Sequence, residues 1–365
     1  MTSRFYMIPR ALMMLVILMA LLGGLGAGLA RLGLQTDSLS RDWMLVHGPL
    51  MISGFLGTLI CLERAVALAS RYRWSIVVPI VNALGALLLL LMPDSTLARF
   101  FLMLGSLGLV GLFGIMLRLH PSRDVIIMTA GALCWLAGNR AWLGGEPVYD
   151  VVHLWVAFLV LTIVGERLEL SRIRRLTPLS QNLLVMAIGV YLVGVVLTLI
   201  NLEVGVRILG VGAILMAAWL LHYDIARRTI RQQGLPRYIA ACLLTGYLWM
   251  AFGGGVALWQ GAVYAGPDYA VILHAFLLGF VFSMIFGHMP IILPALTGLQ
   301  VRYTSLFYGH LVLLHITLIY RMLGNFTANL VMRQQGALLN VVAILIFMMV
   351  TAANVLLSHI NSRRS

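Results

Sequence analysis

Apolar residues along this chain run in blocks of about twenty, the length a helix needs to cross a hydrocarbon core. Charged residues fall almost wholly between the blocks. The pattern predicts twelve spanning helices near 8–30, 44–64, 74–92, 97–118, 124–143, 149–168, 179–200, 204–222, 238–259, 269–293, 304–322 and 336–358. Connections are short, so residues 1–365 read as a single all-α transmembrane domain with no soluble module. Pro290 and Pro294 are expected to end or kink the tenth helix. The apolar run from Ala11 to Ala30 ends in Gly28-Leu29-Ala30, which resembles a leader-cleavage site. It exceeds the about 7–15 residues of a leader core, and it therefore predicts a retained helix.

The layout repeats every four helices. The second helix reads VHGPLMISGFLGTLICLER, the sixth VHLWVAFLVLTIVGER and the tenth LHAFLLGFVFSMIFGHM. Each carries a histidine near its start: His47, His153 and His274. An apolar residue precedes each (Val46, Val152, Leu273), and an aromatic lies four or five residues earlier (Trp43, Tyr149, Tyr269). Asp42, Asp150 and Asp268 are close by. The first two helices end in Glu63-Arg64 and Glu166-Arg167, the third in His288. The fourth, eighth and twelfth helices match one another separately, ending in Leu119-His120, Leu221-His222 and Ser358-His359. A twelve-helix bundle with a pseudo-threefold repeat of four helices accounts for both sets, with units near 1–120, 121–235 and 236–365.

Composition agrees with the bilayer as solvent: 61% of residues are hydrophobic, 10% charged, and the mean hydropathy is +0.99. The net charge of +13 comes from arginine alone. A basic chain raises nucleic acid as a partner, but these arginines sit in short loops between apolar runs, where they encode orientation instead. With the N-terminus inside, eighteen fall on the cytoplasmic side: Arg4, Arg10, Arg64, Arg71, Arg73, Arg118, Arg123, Arg167, Arg172, Arg174, Arg175, Arg227, Arg228, Arg231, Arg237, Arg302, Arg363 and Arg364. Seven fall outside: Arg31, Arg41, Arg99, Arg140, Arg207, Arg321 and Arg333. The asymmetry predicts a bacterial cytoplasmic membrane protein with an even number of spans and both termini inside. Cys61, Cys134 and Cys242 lie within apolar runs without C-x-x-C spacing, as small buried residues do.

An ionisable residue inside a span is a functional hypothesis by default. Helices 2, 6 and 10 run in the same direction, so His47, His153 and His274 are expected at one depth, just below the outer surface. Two neutral imidazoles from facing helices can ligate a haem iron from opposite sides. Arg321 and Arg140, at outer helix ends, could then pair with haem propionates; the alternative for each is an ordinary snorkelling anchor. The rise per residue puts His288 about 21 Å deeper than His274, after nearly four turns and so on the same face. His288, His310 and His315 are candidates for a deeper metal site, although five residues turn His310 and His315 about 140° apart. His120, His222 and His359 suit the negative ends of helix dipoles. Adjacent residues on a helix do not face each other, so the two Glu-Arg pairs are expected to bond across helices. Met44, Met51, Met284 and Met289 could offer soft sulfur to copper.

Twelve helices in three repeats, with histidines near the outer ends of helices 2, 6 and 10, resemble subunit I of the haem-copper oxidases. They also resemble the NnrS family of haem- and copper-containing membrane proteins connected with nitric oxide, above all in HAFLLGFVFSMIFGHMPIILPALTG. The resemblance implies haem b, with copper as a second cofactor. By position, His47 and His274 match the low-spin haem ligands, and His153 matches a ligand that binds copper in the oxidases. Departures exclude a conventional terminal oxidase: His153 is followed by Leu154-Trp155 rather than His-Pro-Glu-Val, and 179–200 contains no histidine. The expectation is a haem-binding protein of nitric oxide metabolism or nitrosative stress, with a redox activity or simple binding of a diatomic ligand left open. A secondary transporter is the second class, favoured by glycine runs such as Gly253-Gly254-Gly255 and opposed by the lack of mid-span carboxylates. An assembly factor for a haem-copper enzyme is the third.

Overall fold

The computed structural model describes the backbone of residues 2–34, 41–171 and 176–364, and the side chains there except those of 2–10, 41, 297 and 359–364. Arg172, Arg174 and Arg175 therefore lie outside the described residues, as do the side chains of Arg4, Arg10, Arg41, His359, Arg363 and Arg364. Among the described residues the chain is helical, with no strand. Eleven helices among the described residues are long and apolar enough to cross a membrane.

We number the long helices α1 (Thr2–Ala30), α2 (His47–Leu68), α3 (Arg73–Leu91), α4 (Thr96–Leu119), α5 (Arg123–Leu143), α6 (Val148–Leu170), α7 (Pro178–Leu197), α8 (Leu202–Tyr223), α9 (Leu235–Gln260), α10 (Gly266–Leu296), α11 (Phe307–Phe326) and α12 (Leu330–Arg364). Each coincides with an apolar block. Local signals set their ends: Ser95, Thr177 and Asn201 accept from the backbone N–H three residues on, and Pro178 takes the first position of α7. The helix that falls short of the spanning criterion is α5, whose apolar run is diluted by Arg123, Asp124, Asn139 and Arg140.

Two expectations change. Of the end or kink expected at the prolines of α10, the end does not occur: the helix runs through Pro290 and Pro294 to a left-handed cap at Gly298. Its irregularity lies upstream, in an eight-residue π-helical segment, Ala275–Phe282. A second π segment, Leu50–Gly57, occupies α2. Because π turns take more residues than α turns, counting fourteen residues as nearly four turns does not carry from His274 to His288.

The chain divides into two compact units, Met1–Gly165 and Glu166–Ser365. In the first, α1 and α3 pack on α2, α4 packs on α3, and α5 on α4. In the second, α8 packs between α7 and α9, α9 also meets α10, and α11 pairs with α12. The most enclosed spans are the three that carry the repeated histidine: 78% of α2, 83% of α6 and 72% of α10 is buried, against 28–56% for the rest.

Candidate functional site

In the first unit, His47 is built into the surface of α1. Its Nδ1–H donates to the carbonyl of Gly24 at 2.7 Å. One turn on, Gly28 leaves the space that the ring fills: a Cβ there would lie 2.7 Å from Cε1 and 2.8 Å from Nδ1. A carbonyl can only accept, so Nδ1 carries the proton and Nε2 the lone pair. That is the tautomer and orientation in which a second-shell bond usually holds a metal-binding imidazole.

Beneath His47 the π segment feeds a buried polar network that the sequence reading missed. Widened turns loosen the helical ladder, and the carbonyl of Ser53 accepts from Asn82 Nδ2 on α3 at 2.9 Å. Asn82 also donates to Thr58 Oγ1 at 2.8 Å. Ser53 Oγ donates to Asn139 Oδ1 (3.1 Å) and accepts from Trp135 Nε1 (2.9 Å), both on α5. The only sequence signal was a set of single polar residues inside apolar blocks. His153 is buried on α6, the helix that also carries Trp155, which meets Trp142 edge-on at 5.6 Å, and Phe158, which stacks on Trp135 at 4.6 Å. Arg140 is exposed.

In the second unit His274 also donates from Nδ1, but within its own helix rather than across helices. Its Nδ1–H donates to the carbonyl of Ala270 at 2.7 Å, and the π segment begins at the next residue. Its Nε2 accepts from Arg321 Nη2 at 3.2 Å, so the arginine expected to meet a propionate meets the imidazole itself. His288 also donates from Nδ1 to its own helix, to Met284 O at 2.8 Å.

The two histidines of α11 have separate surroundings. His310 is fully buried; its Nε2 is hydrogen-bonded to the Tyr238 hydroxyl at 3.0 Å, and the rings of Phe286, Phe307 and Phe347 enclose it at 4.7–6.0 Å. His315 Nδ1 accepts from Trp249 Nε1 at 3.0 Å. Among the described residues no three His, Cys, Asp or Glu side chains gather as a metal-holding group, and His288, His310 and His315 are not brought together as one.

The Glu-Arg pairs behave differently from each other. Arg167 reaches across helices, giving Asp224 two hydrogen bonds at 2.8 and 3.1 Å; Tyr247 donates to the same carboxylate at 3.1 Å. Both charged groups are buried, and Asp224 also caps the N–H of Ala226. Arg64, against expectation, approaches its neighbour Glu63 at 3.5 Å. Both side chains are long enough to bend toward each other, and the buried guanidinium also lies over Phe113, 5.9 Å from its centroid.

A family model described as "Domain of unknown function (DUF8744)" matches residues 10–356 of the chain. No curated protein and no solved structure matches it.

Proposed function

The chain belongs to the DUF8744 family, and from its histidines we propose a haem-binding membrane protein of twelve helices in three repeats of four, linked to nitric oxide or nitrosative stress. One observation carries the reading. His47 and His274, 227 positions apart in sequence (274 − 47), each donate Nδ1–H to a backbone carbonyl at 2.7 Å, which leaves Nε2 as the ligating nitrogen. Each also precedes an eight-residue π segment, a feature that concentrates at functional sites. The enclosure of α2, α6 and α10 supports their equivalence as repeat partners.

Haem, when bound, would supply electron exchange or capture of a diatomic ligand. The protein's part is to fix two imidazoles and exclude water. His47 has the tautomer for that task, with Nδ1–H held by the Gly24 carbonyl; at His274, Nε2 accepts from Arg321, which must release it. The nitric oxide link rests on the resemblance of the α10 segment to the NnrS pattern. Copper has less support than haem, because copper would require converging donors.

The test is an absorption spectrum of the purified full-length chain after incubation with hemin. The expected result is a Soret band that shifts and sharpens on dithionite reduction, lost in His47→Ala and in His274→Ala. A protein that stays colourless sinks the haem reading. The π interruptions of α2 and α10 would then favour the transporter reading, since transporters bind substrate where helices break.

A further inference from the structure

We propose that Arg321 and Arg333 form a binding site for a phosphate-type oxyanion where α11 turns into α12. The two helices meet in close antiparallel register. A Cβ on Gly336 would lie 2.7 Å from Arg321 Cβ, and a Cβ on Gly324 would lie 2.8 Å from the backbone nitrogen of Arg333. Arg321 therefore faces Gly336, Gly324 packs against Met332 Cβ and the backbone nitrogen of Arg333, and the two arginines stand about one turn apart on paired helices. Three residues of helix rise make that turn about 4.5 Å.

Among the described residues no carboxylate bonds to either guanidinium. Arg321 gives one hydrogen bond, to the neutral nitrogen of His274, out of the five N–H donors a guanidinium carries. Arg333 Nε is buried with no partner, and its side chain makes no hydrogen bond or ion pair among the described residues. Arg333 also stands in the first turn of α12, a helix of 35 residues, where the dipole adds positive potential and acidic side chains are absent. Two half-buried guanidiniums, one turn apart, and a helix N-terminus thus lie together with no carboxylate bonded to either among the described residues, an arrangement suited to the tetrahedral oxygens of phosphate.

Depth points the same way. Arg321 lies five residues before the end of α11 and Arg333 three residues into α12. That is the level at which spanning helices leave the hydrocarbon and a snorkelling arginine reaches the phosphates of lipid headgroups. The shared chemistry is a phosphate monoester or diester, with an anionic phospholipid or soluble phosphate as its source. The inference needs neither iron nor His47, and it stands or falls apart from the haem reading.

The experiment uses the full chain in neutral detergent. Native mass spectrometry counts retained phosphatidylglycerol against phosphatidylcholine, and thermal melting compares inorganic phosphate with chloride at equal ionic strength. The expected result is preferential retention of phosphatidylglycerol, weakened roughly fivefold by Arg333→Gln and further by Arg321→Gln/Arg333→Gln, with Arg333→Lys close to wild type and Arg118→Gln unchanged. Stabilisation by inorganic phosphate alone, lost in the same variants, supports the site with a soluble anion as its source. In phosphate-free neutral detergent Arg333→Gln is expected to melt no lower than wild type, because it removes an unanswered charge. Equal retention of both lipids with no phosphate effect overturns the proposal, as does a preference that survives Arg333→Gln. Should the double variant not fold, Arg333→Gln decides alone, since that side chain has no bond to lose.

Discussion

Gly28 contributes to the candidate site by having no side chain. The imidazole of His47 occupies the space where its Cβ would be, so Gly28→Ala should push the ring off the Gly24 carbonyl. On the haem reading, this variant loses the low-spin spectrum as fully as His47→Ala does, and absorption of hemin-incubated protein is the check. A second single-residue prediction concerns stability alone. Ala328, in the tight turn between α11 and α12, holds φ +51°, a left-handed conformation that a Cβ disfavours. Ala328→Gly should stabilise the fold by about 1 kcal/mol, read as a rise in melting temperature in detergent.

At the scale of elements, pairs of helices are joined by buried polar groups that no single helix explains. The Asp224 carboxylate takes two bonds from Arg167 on α6, one from Tyr247 on α9 and one from the Ala226 backbone. Removing one charge of a buried pair leaves the other uncompensated. Asp224→Asn is thus expected to cost about 3–5 kcal/mol, measured by denaturant or thermal unfolding in detergent. A smaller effect would mean that water reaches the guanidinium. The polar cluster of Ser53, Asn82, Trp135 and Asn139 has the same logic around the π segment of α2. There the irregular backbone offers a carbonyl, and a side chain from the next helix accepts the offer.

At the scale of the whole molecule, span number and orientation decide each other. Eleven spans would put the termini on opposite sides of the membrane, and twelve would put them on the same side. Everything turns on α5, which has the length of a span but carries Arg123, Asp124 and Arg140. The arginine asymmetry of eighteen to seven favours twelve, with both termini cytoplasmic. Reporter fusions at the two ends should both report the cytoplasm; opposite readings would remove α5 from the membrane and the fourfold period with it.

The amino-acid order by itself determined where the helices lie, because an apolar block of twenty residues has one cheap way to satisfy its backbone in lipid. It also singled out His47, His153 and His274 through a recurrence along the chain, and the burial of α2, α6 and α10 is in keeping with that recurrence. Hydrophobic pattern could not reveal the π segments, since Leu50–Gly57, Ser53 apart, and Ala275–Phe282 are apolar throughout and period carries no signal there. Nor could it pair Arg167 with Asp224, Arg321 with His274 or His310 with Tyr238. Those partners sit 57, 47 and 72 positions apart. Only the packing of helix on helix chooses among the polar groups that a buried donor might reach, and that choice belongs to the tertiary structure.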